Sequence, residues 1–158
     1  MNHLEQLISE WLEFKGYIVR RNIRVGKIVH GAYVGELDVV AYHPTTKHIL
    51  HVEPSYSTSS WDKRDILFTK KFDAGKKYIN KEVFPWIDAL LPVERWAVLW
   101  GSSKIHRIIG GGKVIPVPDL YKRIAQDVRA IPPGSSIPEK FPLLRTMQFT
   151  LLWVTGEI

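Results

Sequence analysis

The sequence predicts an α/β fold with a central mixed sheet of about five strands flanked by helices, in the order αβββαββα plus a terminal helix. Three observations predict it. Leu4, Leu7, Ile8, Trp11 and Leu12 recur at three- and four-residue steps, the spacing of one helix face. Two alternating runs, 36–42 and 48–53, flank the turn His43-Pro44-Thr45-Thr46-Lys47. A long helical pattern from about Trp61 to about Val83 leads into an apolar strand, Arg95-Trp96-Ala97-Val98-Leu99-Trp100.

Each element has its own signal. The first helix covers residues 3–15, with Asn2 placed to cap it and Gly16 to end it. Tyr17 to Val25 is rich in β-branched residues and predicts a strand, followed by a loop through Gly26, Gly31 and Gly35. The hairpin comes next, then a polar loop from Tyr56 to Ser60 whose serines suit a helix cap. In the helix after it, Phe68, Phe72, Ile79 and Val83 mark an apolar face, and Lys63, Lys70, Lys77 and Lys81 line another. Lys113 to Val117 predicts a short fifth strand. Gly110-Gly111-Gly112-Lys113 lacks the Lys-Ser/Thr ending of a phosphate-binding P-loop, so it predicts a hairpin turn. Asp119 is placed to cap a helix through about Ala130. Residues 131–138, with three prolines and a glycine, are the clearest linker. A last helix, about Glu139 to Trp153, carries Leu143, Leu144, Met147, Leu151 and Val154 on one side. The expected organisation is a core domain over 1–131, then a Pro-rich linker and C-terminal helix over 132–158 that packs on the core or on a partner.

Composition narrows the function classes. The chain has 158 residues, of which 45% are apolar and 24% charged, as in an ordinary globular domain. No apolar run approaches the ~20 residues that a membrane span needs. An acidic residue, Glu5, stands where a secretory leader would carry positive charge, so a cytoplasmic protein without membrane association is expected. There is no cysteine, which excludes disulfides, thiolate metal sites and cysteine nucleophiles. The net charge is +6, unevenly spread. Residues 1–60 hold six basic and six acidic side chains, so the excess lies beyond residue 60. A basic excess favours a polyanionic partner.

The acids of the neutral segment carry the sharper signal. Side chains alternate across a strand, so Leu37, Val39 and Ala41 are expected on one side of the second strand, and Glu36 and Asp38 on the other. On the third strand Leu50 and Val52 oppose His51, Glu53 and Ser55. Pairing the strands brings the acidic sides together. Clustered carboxylates repel, and a hard divalent cation such as Mg²⁺, with Mn²⁺ an alternative, satisfies them.

These residues, with the elements around them, resemble a known family. A first helix bearing Glu5 ends in Leu12-Glu13-Phe14-Lys15-Gly16-Tyr17 and leads into Arg21-Asn22-Ile23-Arg24. Gly35-Glu36-Leu37-Asp38-Val39-Val40-Ala41 and His51-Val52-Glu53-Pro54-Ser55 follow. Over roughly residues 3–118 the chain resembles the PD-(D/E)xK nuclease superfamily, with its restriction-endonuclease-like fold. The likeness is greatest to small members such as Holliday-junction resolvases. The resemblance implies a Mg²⁺-dependent endonuclease that hydrolyses DNA phosphodiester bonds, with Glu5, Asp38 and Glu53 as the metal-binding acids. It implies DNA as the partner, with RNA left open, and pairing of two copies where both strands are cut. One position departs from the family. Its motif ends in Lys two residues after the Glu, where this chain has Ser55. A serine hydroxyl supplies no positive charge. Either a lysine of the next helix takes over, Lys70 or Lys71 with Lys63 behind them, or the chain is a catalytically inactive nucleic-acid-binding module on the same fold. A third reading is an interaction protein that dimerises through its last helix.

Around this core, Arg20, Arg21, Arg24, Lys63 and Arg64 are expected to track phosphates, with Ser55 as a further contact and His51 beside the acids. Tyr56 and Trp61 flank the polar loop as candidates to stack on a base. Lys122, Arg123 and Arg129 extend the basic surface.

Overall fold

The computed structural model describes residues 2–101, 106–132 and 134–154. Helix α1 (His3–Phe14) precedes three antiparallel strands, β1 (Ile18–Lys27), β2 (Tyr33–His43) and β3 (His48–Ser55). Helix α2 (Trp61–Tyr78), prolonged by a π-helical turn (Ile79–Val83), crosses to β4 (Val93–Leu99), which pairs parallel with β3. A two-residue strand β5 (Ile108–Ile109) turns back into β6 (Gly112–Pro116), which is parallel to β4. Helices α3 (Val117–Arg129) and α4 (Pro142–Phe149), the latter prolonged by a π-helical turn (Thr150–Val154), complete the described chain. The sheet order is β1-β2-β3-β4-β6-β5.

The sheet has two covered faces, which is why its central strands are apolar on both sides. On one face Val39, Ala41, Leu50, Val52, Val98 and Ile115 pack against α1, α3 and α4. Leu144, Leu151, Ile137 and Phe141 belong to that same cluster, so the C-terminal segment contributes to the main core. On the other face α2 packs over two separate apolar clusters. One joins Val40 and Ile49 to Ala74, Tyr78 and Ile79; the other joins Ala97, Leu99 and Val114 to Phe68 and Phe72. Among the described residues, no helix is long and apolar enough to cross a membrane.

Several expectations need correction. The sheet has six strands, because Ile108 and Ile109 form a strand too short to show a pattern of its own. It is closed by Gly110 and Gly111, whose φ of 53° and 75° lie where glycine is favoured, so the glycine run is a hairpin turn as expected. Helix α3 begins at Val117, with Pro118 in its first turn, and so Asp119 lies inside the helix instead of capping it. Ser60 precedes α2 without a capping hydrogen bond from its side chain. Asn2 does cap α1.

The alternation along β2 also slips. Leu37 packs on the α2 face with Val40 and Val25, while Val39 faces α1. The β1–β2 ladder pairs Ile23 with Leu37 and Arg21 with Val39, yet Asn22 and Asp38 between them are not paired. Asn22 has a φ of 50°. A left-handed residue inside a strand twists the ladder locally and redirects the neighbouring side chains.

Candidate active site

The β2–β3 ladder ends at the pair Val39–Val52. One step further the two strands part, β2 remaining with β1 and β3 with β4. Asp38 and Glu53 stand at this opening, on the sheet face that α2 covers. The Asp38 backbone N–H donates to Glu53 Oε1 at 3.2 Å, so the carboxylate takes up a donor that the ladder no longer uses.

Lys71 reaches down from α2 between the two acids. Its Nζ is 2.7 Å from Asp38 Oδ2 and 2.5 Å from Glu53 Oε2. Helix geometry explains the choice of lysine. Phe68 and Phe72 are both buried in the cluster on the α2 face, which turns Lys71 towards the sheet and leaves Lys70 exposed to solvent. The polar group thus lies in the seam between the two apolar clusters beneath α2.

His51 holds the other side of Glu53. It is fully buried, with Nε2 2.7 Å from Glu53 Oε1. The carboxylate can only accept, so Nε2 carries the hydrogen. Nδ1 has no hydrogen-bond partner among the described residues and lies against Gly75, where any Cβ would overlap the ring. Phe72 meets the same ring edge-on, with centroids 5.1 Å apart. His51 is therefore a buried support of Glu53, out of reach of a phosphate.

The two acids ionise differently. Burial pushes the Asp38 carboxyl up, the Glu53 carboxylate beside it pushes further, and Lys71 only partly offsets them, leaving a value of about 8. Burial also works on Glu53, but the His51 hydrogen bond, Asp38 and Lys71 outweigh it and hold Glu53 down at about 2. For Lys71 burial opposes the charge, yet the attraction of both acids wins and its value is raised. Lys71 and Glu53 thus form a charged pair, and Asp38 alongside is the acid of the two that keeps its proton to the higher pH.

The arrangement fits a hard divalent cation. One oxygen from each carboxylate converges on a single cationic position, now held by an ammonium group. Mg²⁺ commonly takes one or two carboxylates and completes its shell with water and phosphate oxygens. Glu53 Oε1 is engaged by His51 and the Asp38 N–H, which leaves Oε2 for the cation.

The other expected site residues are placed as follows. Glu5 is engaged at the start of α1, where it forms a capping box with Asn2. Its oxygens accept from the Asn2 N–H at 3.2 Å and from Asn2 Nδ2 at 2.5 Å. Among the described residues no group of three or more His, Asp or Glu side chains is set to hold a metal ion, so Glu5 does not join Asp38 and Glu53 in such a group. Ser55 Oγ accepts from the Ser57 N–H at 3.1 Å and ties off the loop. Arg20, Arg21 and Arg24 lie exposed along the outer strand β1, with Arg24 3.6 Å from Glu36. Lys63 is exposed in the first turn of α2. Trp61 is stacked on His106 at 4.0 Å, and the Arg64 guanidinium is 5.1 Å from its ring centroid, so this indole already has partners within the protein. Tyr56 is exposed and contacts Trp100, at 5.7 Å between centroids.

Two contributors escaped the sequence reading. Trp100 reads as the end of a buried strand but lies one residue beyond β4 and is exposed. Gly75 reads as one more residue of a helix; an interior helical glycine is itself the signal of a close approach. No family model, curated protein or solved structure matches the chain.

Proposed function

We propose that this chain is a divalent-metal-dependent nuclease that hydrolyses phosphodiester bonds in nucleic acid, DNA foremost. One observation carries the reading: Lys71 of α2 contacts both Asp38 and Glu53. That is the charge Ser55 does not supply, delivered from the neighbouring helix.

Asp38 and Glu53 would hold Mg²⁺ or Mn²⁺ through one oxygen each. When bound there the ion supplies positive charge beside the scissile phosphate and makes water more acidic. Lys71 would donate hydrogen bonds to a phosphate oxygen as negative charge grows on it. His51 keeps Glu53 in one orientation, and the protein's low-dielectric interior behind the pair strengthens each of these contacts. The basic side chains of β1 and of the start of α2 offer charge for the phosphates on either side. In the balanced reaction a water oxygen bonds to phosphorus and gives up one proton, the bond from phosphorus to the leaving sugar oxygen breaks, and that oxygen gains one proton.

The test incubates supercoiled, linear and branched DNA with the protein in Mg²⁺, in Mn²⁺ and in EDTA, beside Asp38→Ala, Lys71→Met and Lys70→Met. Metal-dependent cleavage that falls about 100-fold or more in Asp38→Ala and Lys71→Met, and stays within about twofold in Lys70→Met, is the expected result. Cleavage that survives EDTA and Asp38→Ala refutes this site. Binding without cleavage in either metal returns the reading to a nucleic-acid-binding module.

A further inference from the structure

β3 runs from Glu53 straight to an aromatic corner. Tyr56 lies three residues on, no more than about 11 Å of extended chain. The Trp100 N–H donates to the Ser55 carbonyl at 3.3 Å, which fixes the Trp100 backbone to the end of β3. Tyr56 and Trp100 touch, yet are 45% and 61% exposed, so two large aromatic side chains are left partly to water side by side. Next to them Trp100, Val117, Pro118 and Tyr121 line a hollow of about 320 Å³. Tyr121 is anchored, with its hydroxyl 3.2 Å from His3 Nε2. Its phenol is pushed up by burial and then by Tyr56. An adjoining hollow of about 330 Å³ shares Pro118 and Tyr121 and adds Lys122 and Arg129.

We propose that Tyr56, Trp100 and Tyr121 form a stacking seat for an unpaired nucleobase, so that the substrate is single-stranded or locally opened nucleic acid. This rests on the phosphodiester reading above and names its substrate class. Ring faces bind ring faces, and every base has one. Inside a duplex those faces are covered by neighbouring bases, so a base reaches such a seat only after leaving the stack. The cations beside the seat supply what the same strand needs for its phosphates, and an aromatic platform beside basic groups is the pairing that single strands require. Trp61 does not compete for this role, since His106 and Arg64 already cover it.

The test is binding in EDTA, where no metal-dependent cutting interferes. Fluorescence anisotropy of a labelled short mixed-sequence DNA is measured single-stranded and as its duplex. The proteins are the wild type, Trp100→Ala, Tyr56→Ala and a control, Trp86→Ala, which removes another exposed indole, 59% accessible. The expected result is tighter binding of the single strand than of the duplex. Trp100→Ala should weaken the single strand about tenfold and the duplex little, and Trp86→Ala should weaken neither. Equal affinity for the two forms, or an unchanged single-strand affinity in both Trp100→Ala and Tyr56→Ala, overturns the seat. So does sedimentation showing that Trp100→Ala turns a dimer into a monomer without altering the affinity for the single strand, because the corner would then be covered by a second copy. Trp100-dependent binding in a protein that cuts nothing supports the seat and overturns the nuclease reading alone.

Discussion

Replacing Asp38 by asparagine tests the electrostatics of the carboxylate pair without disturbing its shape. The amide has the size of a protonated carboxyl and cannot take up a negative charge. In the folded protein Asp38 is raised from an ordinary 3.8 to about 8. An acid raised by folding contributes its stability in full below the unfolded value and loses it as the pH climbs towards the folded value. Each pH unit in between is worth about 1.4 kcal/mol, so from about pH 4 to pH 7 the wild type forfeits up to about 4 kcal/mol that Asp38→Asn keeps. Water reaches the Asp38 side chain, which is 12% exposed. Screening by that water lowers the measured difference to about 1–3 kcal/mol. Urea unfolding followed by tryptophan fluorescence at about pH 4, 5.5, 7 and 8 measures it, and the difference between the two proteins cancels the titrating groups that do not touch Asp38. The variant should equal the wild type near pH 4 and gain on it steadily towards pH 8. Parallel stability profiles over that range would show that Asp38 ionises normally and would remove burial beside Glu53 as a cause. Glu53 works in the opposite sense. Held down at about 2 from an ordinary 4.5, it contributes fully above pH 4.5 and is lost as the pH falls towards 2, so the wild type should also weaken in acid.

Three further outcomes follow from the same contacts. Cation binding requires Asp38 to lose its proton, so Mg²⁺-dependent cleavage should rise with pH between about pH 6 and 9, and its midpoint should fall as the Mg²⁺ concentration is raised, read from initial rates. Gly75→Ala pushes a methyl group into the His51 ring and should destabilise the fold by about 1–3 kcal/mol in urea. Its cleavage rate, measured where it remains folded, should fall because Glu53 turns with His51. Asn2→Ala removes the α1 cap and should cost about 1 kcal/mol in thermal unfolding while leaving cleavage within about twofold.

Much of this was legible in the chain because period and punctuation are local properties. The α1 stripe, the hairpin and the apolar faces of α2 and β4 followed from spacing alone, and so did the meeting of Asp38 with Glu53. What was not legible depends on long-range packing. Lys70 and Lys71 are adjacent letters with the same chemistry. Only the burial of Phe68 and Phe72 beneath α2 decides which of them faces the sheet. The resemblance made Glu5 a third acid for a metal. Its carboxylate is instead engaged with Asn2, a local competitor that capping statistics favour in an N-terminal first turn. The slip at Leu37 arises from the left-handed backbone of Asn22 on a different strand, which no pattern within β2 records. Trp100 was hidden by the apolar run it ends.

The sheet's outer rim carries a consequence of its own. Of its two border strands, β5 is only two residues long, too short to recruit a foreign strand. β1 is ten residues long and would be an inviting template for strand addition, yet it carries Arg20, Arg21, Arg24 and Lys27 and is interrupted at Asn22. Bringing another chain alongside β1 would crowd those cations and meet a bent backbone. The arginines proposed to meet a phosphate chain thus also oppose the zipping together of two copies through their sheets. Neutralising them would cost solubility as well as any affinity for nucleic acid.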